Sequence, residues 1–418
     1  MAPSATNPEM DDDVRSPVRP IGSKAAPDLG RRGEESRNSM LSWASLLYFF
    51  CSPLDLIQTP LGTVARWTAL LFFSVWIVEL MLGSVKIPRR PGLLLVLTAL
   101  LLWSFTTVLW SYAPSVSMTQ SVTTTLLVLA AVAISSGAGG SALRPAAAMA
   151  LGSAVAAVAT LTSGLHSSDG QASFLGIDQN ALAFHLALGL ASALFVSLHA
   201  QGRKARLAAV AVSILLVASL VQVGSRTGIG ATIALAATFL LYSARTPRRV
   251  LVALGVLGAG MLAVWLVAMA GLIPPRVFDW LGAPIATDNR ELIIQAFRLT
   301  QDEWVFKGIG AGADANYLFI KQDNYRNAHS AFWKVLIEMG AIGLSLWGLL
   351  LTGLARRAYR SPDRAFFILA SLPIALFFYT LGPINSHMLW ATFGLALGAS
   401  FEIPKPSRRA LSAKARQR

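Results

Sequence analysis

Apolar runs separated by short polar connectors follow one another along the chain from residue 41 to residue 402. A helix that crosses a hydrocarbon core about 30 Å thick needs roughly 20 mainly apolar residues. Runs near 41–58, 64–84, 92–112, 117–136, 144–163, 178–200, 206–223, 227–243, 248–273, 330–355, 364–381 and 384–402 predict such helices. The first is the weakest, because Pro53 and Asp55 interrupt it. Between residues 274 and 328 the chain turns polar for longer than in any other connector. The pattern predicts an all-α, polytopic integral membrane protein of about twelve transmembrane helices with one long extramembrane loop.

The connectors set the orientation. Basic residues fill every second one: Lys86, Arg89 and Arg90; Arg144; Arg203, Lys204 and Arg206; Arg245, Arg248 and Arg249; Arg356, Arg357, Arg360 and Arg364. The intervening short connectors near 113–116, 164–177 and 382–386 hold no Lys or Arg. Basic connectors stay in the cytoplasm, so this alternation predicts an even number of spans, both termini cytoplasmic, and the 274–328 loop on the opposite face. Residues 1–40 read as a disordered cytoplasmic tail without a signal-peptide pattern, residues 41–402 as one transmembrane domain, and residues 403–418 as a basic cytoplasmic tail. Asp11-Asp12-Asp13 in the first tail reads as solvated carboxylates rather than a metal site.

Composition agrees with lipid as the main solvent. Hydrophobic residues make up 54% of the 418 and charged residues 13%, about half the charged fraction of a soluble domain. The net charge of +14 lies beside apolar spans, as topology signals and headgroup contacts do, and not as a nucleic-acid groove. Cys51 is the single cysteine, so no intramolecular disulfide forms. The indoles and phenols Trp103, Trp110, Tyr112, Trp265, Trp280, Trp304, Trp333 and Trp390 lie mostly near span ends and read as an interfacial aromatic belt.

Candidate chemistry gathers on the loop face. Arg226 stands alone in the turn Gly224-Ser225-Arg226-Thr227-Gly228; it reads either as a snorkelling interfacial arginine or as a site residue. Asp288-Asn289-Arg290-Glu291 has the form of a helix start. Leu292, Ile293, Ala296, Phe297 and Thr300 then fall on one arc, as in an amphipathic helix along the membrane surface, with Arg290 at its edge and Arg298 on the polar side. Gly308-Ile309-Gly310-Ala311-Gly312 permits close backbone approach or a tight turn and lacks the βαβ context of a nucleotide fingerprint. His329 precedes the tenth span, able to act as a base near neutral pH or to serve as a polar helix-start residue. Lys334 and Glu338, four apart, read as a pair turned away from lipid. Asp178 or Asn180 reads as a cap on the sixth span, and His185 inside that span requires a polar protein interior. No His/Cys cluster, nucleophile elbow or Walker motif occurs.

Taken in order, these pieces resemble the O-antigen ligase and exopolysaccharide polymerase superfamily of bacterial inner membranes. The matching residues are Ser225-Arg226-Thr227-Gly228 opening a span, Asp288-Asn289-Arg290, the glycine run 308–312, Ala328-His329-Ser330, and Glu338-Met339-Gly340-Ala341-Ile342-Gly343. Weaker matches are Trp110-Ser111 with Pro114, and Asp178-Gln179-Asn180. Ser330 stands where many members have Asn. The resemblance implies glycosyl transfer without metal or other cofactor, from an undecaprenyl-diphosphate-linked glycan to an acceptor glycan or lipid A core sugar at the periplasmic face, in contact with membrane lipids and without nucleic acid. It implies His329 as the base that takes the acceptor proton and Arg226, Arg290 and Arg298 as the cations on the diphosphate. Ser225, Asp178, Asn180 and Glu338 support them. Polymerisation of lipid-linked repeats and transport of lipid-linked sugars are the alternative expectations.

Overall fold

The structure, a computed structural model, describes residues 40–56, 58–59, 62–87, 91–137, 141–162, 178–244, 289–322, 330–380 and 383–399. Helices α1 (Met40–Cys51), α2 (Val64–Met81), α3 (Pro91–Thr107), α4 (Pro114–Gly137), α5 (Leu143–Thr162), α6 (Gln179–His199), α7 (Arg203–Val223) and α8 (Arg226–Ser243) form the first group. The short α9 (Asn289–Arg298), α10 (Gln301–Trp304) and α11 (Asp314–Gln322) follow, then α12 (Ala331–Arg360), α13 (Arg364–Thr380) and α14 (His387–Gly398). Among the described residues seven helices are long and apolar enough to cross a membrane: α2, α3 with its 3-10 extension to Trp110, α4, α5, α6, α7 and α12. Helix α13 is shorter and equally apolar in character. The expected span at 248–273 lies outside the described residues.

Local chemistry explains the ends. Pro53 has no N–H to give the Phe49 carbonyl four residues back, so α1 stops at Cys51 and Ser52 Oγ donates to that carbonyl at 3.0 Å. A 3-10 turn (Ser52–Leu56) replaces the rest of the expected first span. A two-residue antiparallel pair, β1 (Gln58–Thr59) and β2 (Gly62–Thr63), then sets Gln58 opposite Thr63, and the sequence had not predicted it. Thr63 caps α2 and its hydroxyl donates to Asp55 at 2.8 Å. At the other end of the bundle Arg357 is buried, against its expected place in an exposed connector. Its guanidinium donates to the Ala396 carbonyl at 3.3 Å and to that of Ala399, closing the C-terminus of α14.

Helix α6 is the centre of the core, buried on nearly every face from Leu182 to Ala193. It packs on α5, α7, α8 and α13. Small residues bring backbones close where helices cross, as dispersion rather than water exclusion must hold helices together in lipid. A Cβ on Gly152 would meet the Phe50 carbonyl oxygen at 1.8 Å. Leu95, Leu102 and Leu109, one heptad apart on α3, are exposed at 63–84% and form part of the lipid-facing surface.

Helices α4, α6, α8, α12 and α14 all begin at one end, called here the upper end. Hydrogen bonds between their first two turns and caps hold it together: Ser225 to Asn180, Ser386 to His185, and Gln120 to Asn385. The short helices α9–α11 cover part of this end.

Replacing Gly152 by Val should lower folded stability by about 1–3 kcal/mol through overpacking of the α1–α5 crossing. Gly348→Val, at a position with nothing within 4 Å, should change it little. Thermal unfolding of the two variants in one detergent checks the contrast.

Candidate functional site

Helix α12 is broken. Gly340 has φ 69° and ψ −173°, which no residue inside a helix adopts. The break takes the carbonyls of Ile337, Glu338 and Met339 out of the helical ladder in the interior of a membrane protein, where an unpaired backbone group costs several kcal/mol. The glycine run supplies two of the missing donors. Ile309 N–H reaches the Ile337 carbonyl and Gly310 N–H the Glu338 carbonyl, each at 3.0 Å. Trp103 Nε1 donates to the Met339 carbonyl at 2.7 Å, and Ala341 N–H turns to the Val305 carbonyl at 2.8 Å. Contact this close requires glycine: a Cβ on Gly308 would lie 2.2 Å from the Glu338 oxygen, and one on Gly340 would lie 2.1 Å from the Phe306 oxygen. On its other side the run is fastened to the α3–α4 turn. Trp110 Nε1 donates to the Gly308 carbonyl at 3.0 Å, Tyr112 N–H to that of Ile309 at 3.2 Å, and Thr107 Oγ1 accepts from Ala311 N–H at 3.2 Å.

The apolar arc of α9 serves this same unit, not the membrane surface. Ile293 and Phe297 are 3% and 1% exposed and pack with Trp304, Ile309, Tyr317 and Ile337 in a second core. The phenyl of Phe297 stacks on Tyr317 at 6.1 Å. Burial of that arc against α11 and the glycine run is an equally good use of an amphipathic helix, and the sequence could not distinguish the two. The aromatic belt needs a similar correction. Trp304 and Trp390 are buried, their indole N–H groups donating to the carbonyls of Phe297 and Ile384, while Trp103 and Trp110 are half-buried and bonded as above. Trp265 and Trp280 lie outside the described residues.

Two polar clusters hold the unit from above and below. At the surface Glu303 accepts from Tyr112 at 2.7 Å, Lys321 at 2.8 Å and Tyr317 at 3.2 Å. The Lys321 hydrogen bond first, and that of Tyr112 next, hold the Glu303 carboxyl below the usual carboxylate range. Burial first, with the Glu303 charge, pushes the Tyr317 phenol up to about 12. Deeper, Lys334 Nζ lies 2.7 Å from Glu338 Oε1 and 3.2 Å from Asp314 Oδ1, all three buried or nearly so. The first contact is an ion pair without hydrogen-bond alignment. Lys334 and Glu338 were expected to pair; Asp314, which begins α11, was not foreseen. Lys334 and Glu338 border a cavity of about 20 Å³, shared with Ser104, Gln120 and Thr124, which is room for about one water.

The polar tripeptide Asn385-Ser386-His387 at the start of α14 joins three helices. Asn385 and Gln120 of α4 exchange amide hydrogen bonds at 2.6 and 3.0 Å. Ser386 Oγ lies 3.2 Å from His185 Nε2 on α6. His185 Nδ1 faces the Ala181 carbonyl at 2.7 Å, an acceptor only, so Nδ1 carries the proton and Nε2 accepts from Ser386. His387 sits between Tyr48 of α1, at 3.1 Å from its Nδ1, and Asp55, at 3.7 Å from its Nε2. Sequence reasoning passed over this hub. Its signals were three adjacent polar residues heading an apolar span, and the Asp55 that interrupts the first span.

The expected site residues fall into separate groups. Asp178 caps α6, its carboxylate accepting from the N–H groups of Asn180 at 2.7 Å and Ala181 at 3.0 Å. Asn180 Oδ1 accepts from Ser225 Oγ at 2.9 Å, and Ser225 caps α8. These three set the position of Arg226, which is exposed at the first turn of α8. Arg298 is exposed at the end of α9, with its guanidinium 5.9 Å above the Trp333 ring, and Trp333 lies on the first turn of α12. Helix α9 begins at Asn289 and carries Arg290 on its first turn; Asp288 lies outside the described residues. So does His329, while its neighbour Ser330 caps α12 and donates to the Phe378 carbonyl at 3.4 Å. Glu338 belongs to the buried triad rather than to this surface. No group of three His, Cys, Asp or Glu able to hold a metal occurs among the described residues. Comparison with protein-family models and with curated proteins finds no match to this chain.

The Glu303 cluster predicts a pH effect of definite sign. A carboxyl whose folded pKa is depressed adds stability above its unfolded pKa and loses it as the pH falls through the folded value. Hydrogen exchange of residues 301–322 should therefore accelerate as the pH falls below about 4.3, the ordinary glutamate value, after correction for intrinsic rates. In Glu303→Gln this acid-dependent step should vanish.

Proposed function

We propose that the protein transfers a glycan from an undecaprenyl-diphosphate carrier to a sugar hydroxyl of an acceptor glycan or lipid A core, at the periplasmic face of a bacterial inner membrane. The topology that goes with this reading has twelve spans, both termini in the cytoplasm, and the 274–328 loop entering from the periplasmic side. The observation that carries it is the attachment of residues 304–314 to the break in α12 and to the α3–α4 turn. That attachment keeps α9, with Arg290 and Arg298, over the upper end of the bundle, at which Arg226 is also exposed.

The chemistry follows from the residue types. Cleavage of the sugar–phosphate bond leaves a diphosphate, and guanidinium groups stabilise its growing charge through paired hydrogen bonds. Arg226, held by the Asp178–Asn180–Ser225 chain, and Arg290 take this role, with Arg298 beside them. The acceptor oxygen attacks the anomeric carbon as its proton passes to His329, next to the cap of α12. The described helix starts at this end add their partial positive charge to the same face. Whether the acceptor is core sugar or another lipid-linked repeat divides ligase from polymerase; a deletion strain with unmodified core and accumulated lipid-linked polymer marks the first, and one with single repeats on core marks the second.

A second reading, transport of a lipid-linked sugar, is favoured by the broken helix and its buried charges, since transporters use interrupted helices at their sites. Among the described helices α12 alone carries such an interior break, without the partner that repeated halves would provide.

Purified protein in detergent, given lipid-diphosphate glycan and acceptor with a chelator present, should release undecaprenyl diphosphate. His329→Ala should slow release by roughly 10²–10⁴-fold, and Arg226→Ala by roughly 10²–10³-fold, with unchanged elution profiles. Full activity in both variants sinks the assignment. Movement of intact glycan-lipid across vesicles without release supports the transporter instead.

A further inference from the structure

The rigid attachment at Gly340 fixes the depth of the segment that binds it. Residues 341–355 are uncharged, and Arg356 and Arg357 follow. These 15 residues rise about 22 Å at 1.5 Å each, less than the roughly 30 Å of a hydrocarbon core. With the Arg356 end at the opposite surface, Gly340 lies inside the upper edge of the core, and any tilt of α12 lowers it further. The Val305 carbonyl accepts from Ala341 N–H, and the Phe306 carbonyl abuts Gly340. The chain at 305–306 therefore sits at the same depth.

Phe306 nevertheless turns its ring away from the protein and is 76% exposed. Lys307 beside it lies 6.0 Å from the Trp110 ring, and Trp110 follows Leu109, which is 84% exposed. Leu109 ends the stripe begun by Leu95 and Leu102, about 27 Å along α3 from Pro91 by the same rise. Two helices thus give independent depths that agree on the boundary between acyl chains and headgroups. The exposed apolar surface of Phe306 continues the lipid-facing surface of α3. A lysine beside it reaches phosphate height, as amphipathic side chains do at interfaces.

We propose that residues 305–312 form a re-entrant element, with the Phe306 ring inserted among the acyl chains of the upper leaflet and the Lys307 ammonium on phospholipid phosphate. The occupant is bilayer phospholipid, and the inference stands whether or not the chain transfers glycans. It depends on α3 and α12 crossing the membrane.

A nitroxide at position 306 (Phe306→Cys, with buried Cys51→Ala) in phospholipid vesicles tests it, against the same label at the exposed Asp302→Cys. The ratio of collisions with oxygen to collisions with a water-soluble nickel chelate should be several-fold higher at 306 than at 302. Equal ratios place Phe306 in water and overturn the proposal. Shielding from both reagents places it in a protein contact and overturns it equally. Should the double variant not fold, a photo-crosslinking phenylalanine analogue at 306 in the wild-type chain gives the same reading. A phospholipid adduct is expected, and a protein adduct or none contradicts the proposal.

Discussion

Backbone hydrogen bonds that α12 cannot make for itself govern the upper end of the molecule. Gly340 leaves three carbonyls and one amide without helical partners. In lipid such groups have no water to turn to, so a partner must come from elsewhere in the chain. The glycine run and Trp103 provide the donors, and Val305 provides the acceptor. Each bond adds about 0.5–1.5 kcal/mol net, but leaving one unmade costs more than making it gains. The segment 304–314 is for this reason an integral part of the helix bundle, and α9 and α11 inherit their positions from it.

Buried charge extends the same logic. Lys334 cannot face lipid and lies between two carboxylates, one from its own helix and one from α11. Removing Lys334 leaves two buried carboxylates without their cation, which is strongly destabilising. The triad and the backbone bonds at Gly340 grip the first half of α12 at both ends. Ser330, just before that half-helix, is held in addition by its bond to the Phe378 carbonyl of α13. Asn385, Ser386 and His387 tie α4, α6 and α1 into the same end.

Hydropathy placed the described helices well because apolar length is a one-dimensional property. The runs at 117–136, 144–163 and 178–200 became helices with ends within a few residues. The capping roles of Asp178 and Ser225 were legible or nearly so, since caps act within four residues. What failed involved partners remote in sequence. The arc of α9 looked like a membrane surface helix because nothing in it reveals whether lipid or Tyr317 covers it. The glycine run announced close approach but not what approached, since Glu338 and Gly340 lie some thirty residues on. Nothing local to Asp314 or His387 names their partners, since Lys334 and Tyr48 stand 20 and 339 residues away.

The most direct measurement is residue-resolved amide hydrogen exchange on the intact protein in lipid nanodiscs. If the glycine run closes the break in α12, the amides of Ile309, Gly310 and Ala341 exchange as slowly as those in the middle of α6. Exchange of these three amides at the rates of free surface loops, with α6 still protected, would contradict the account.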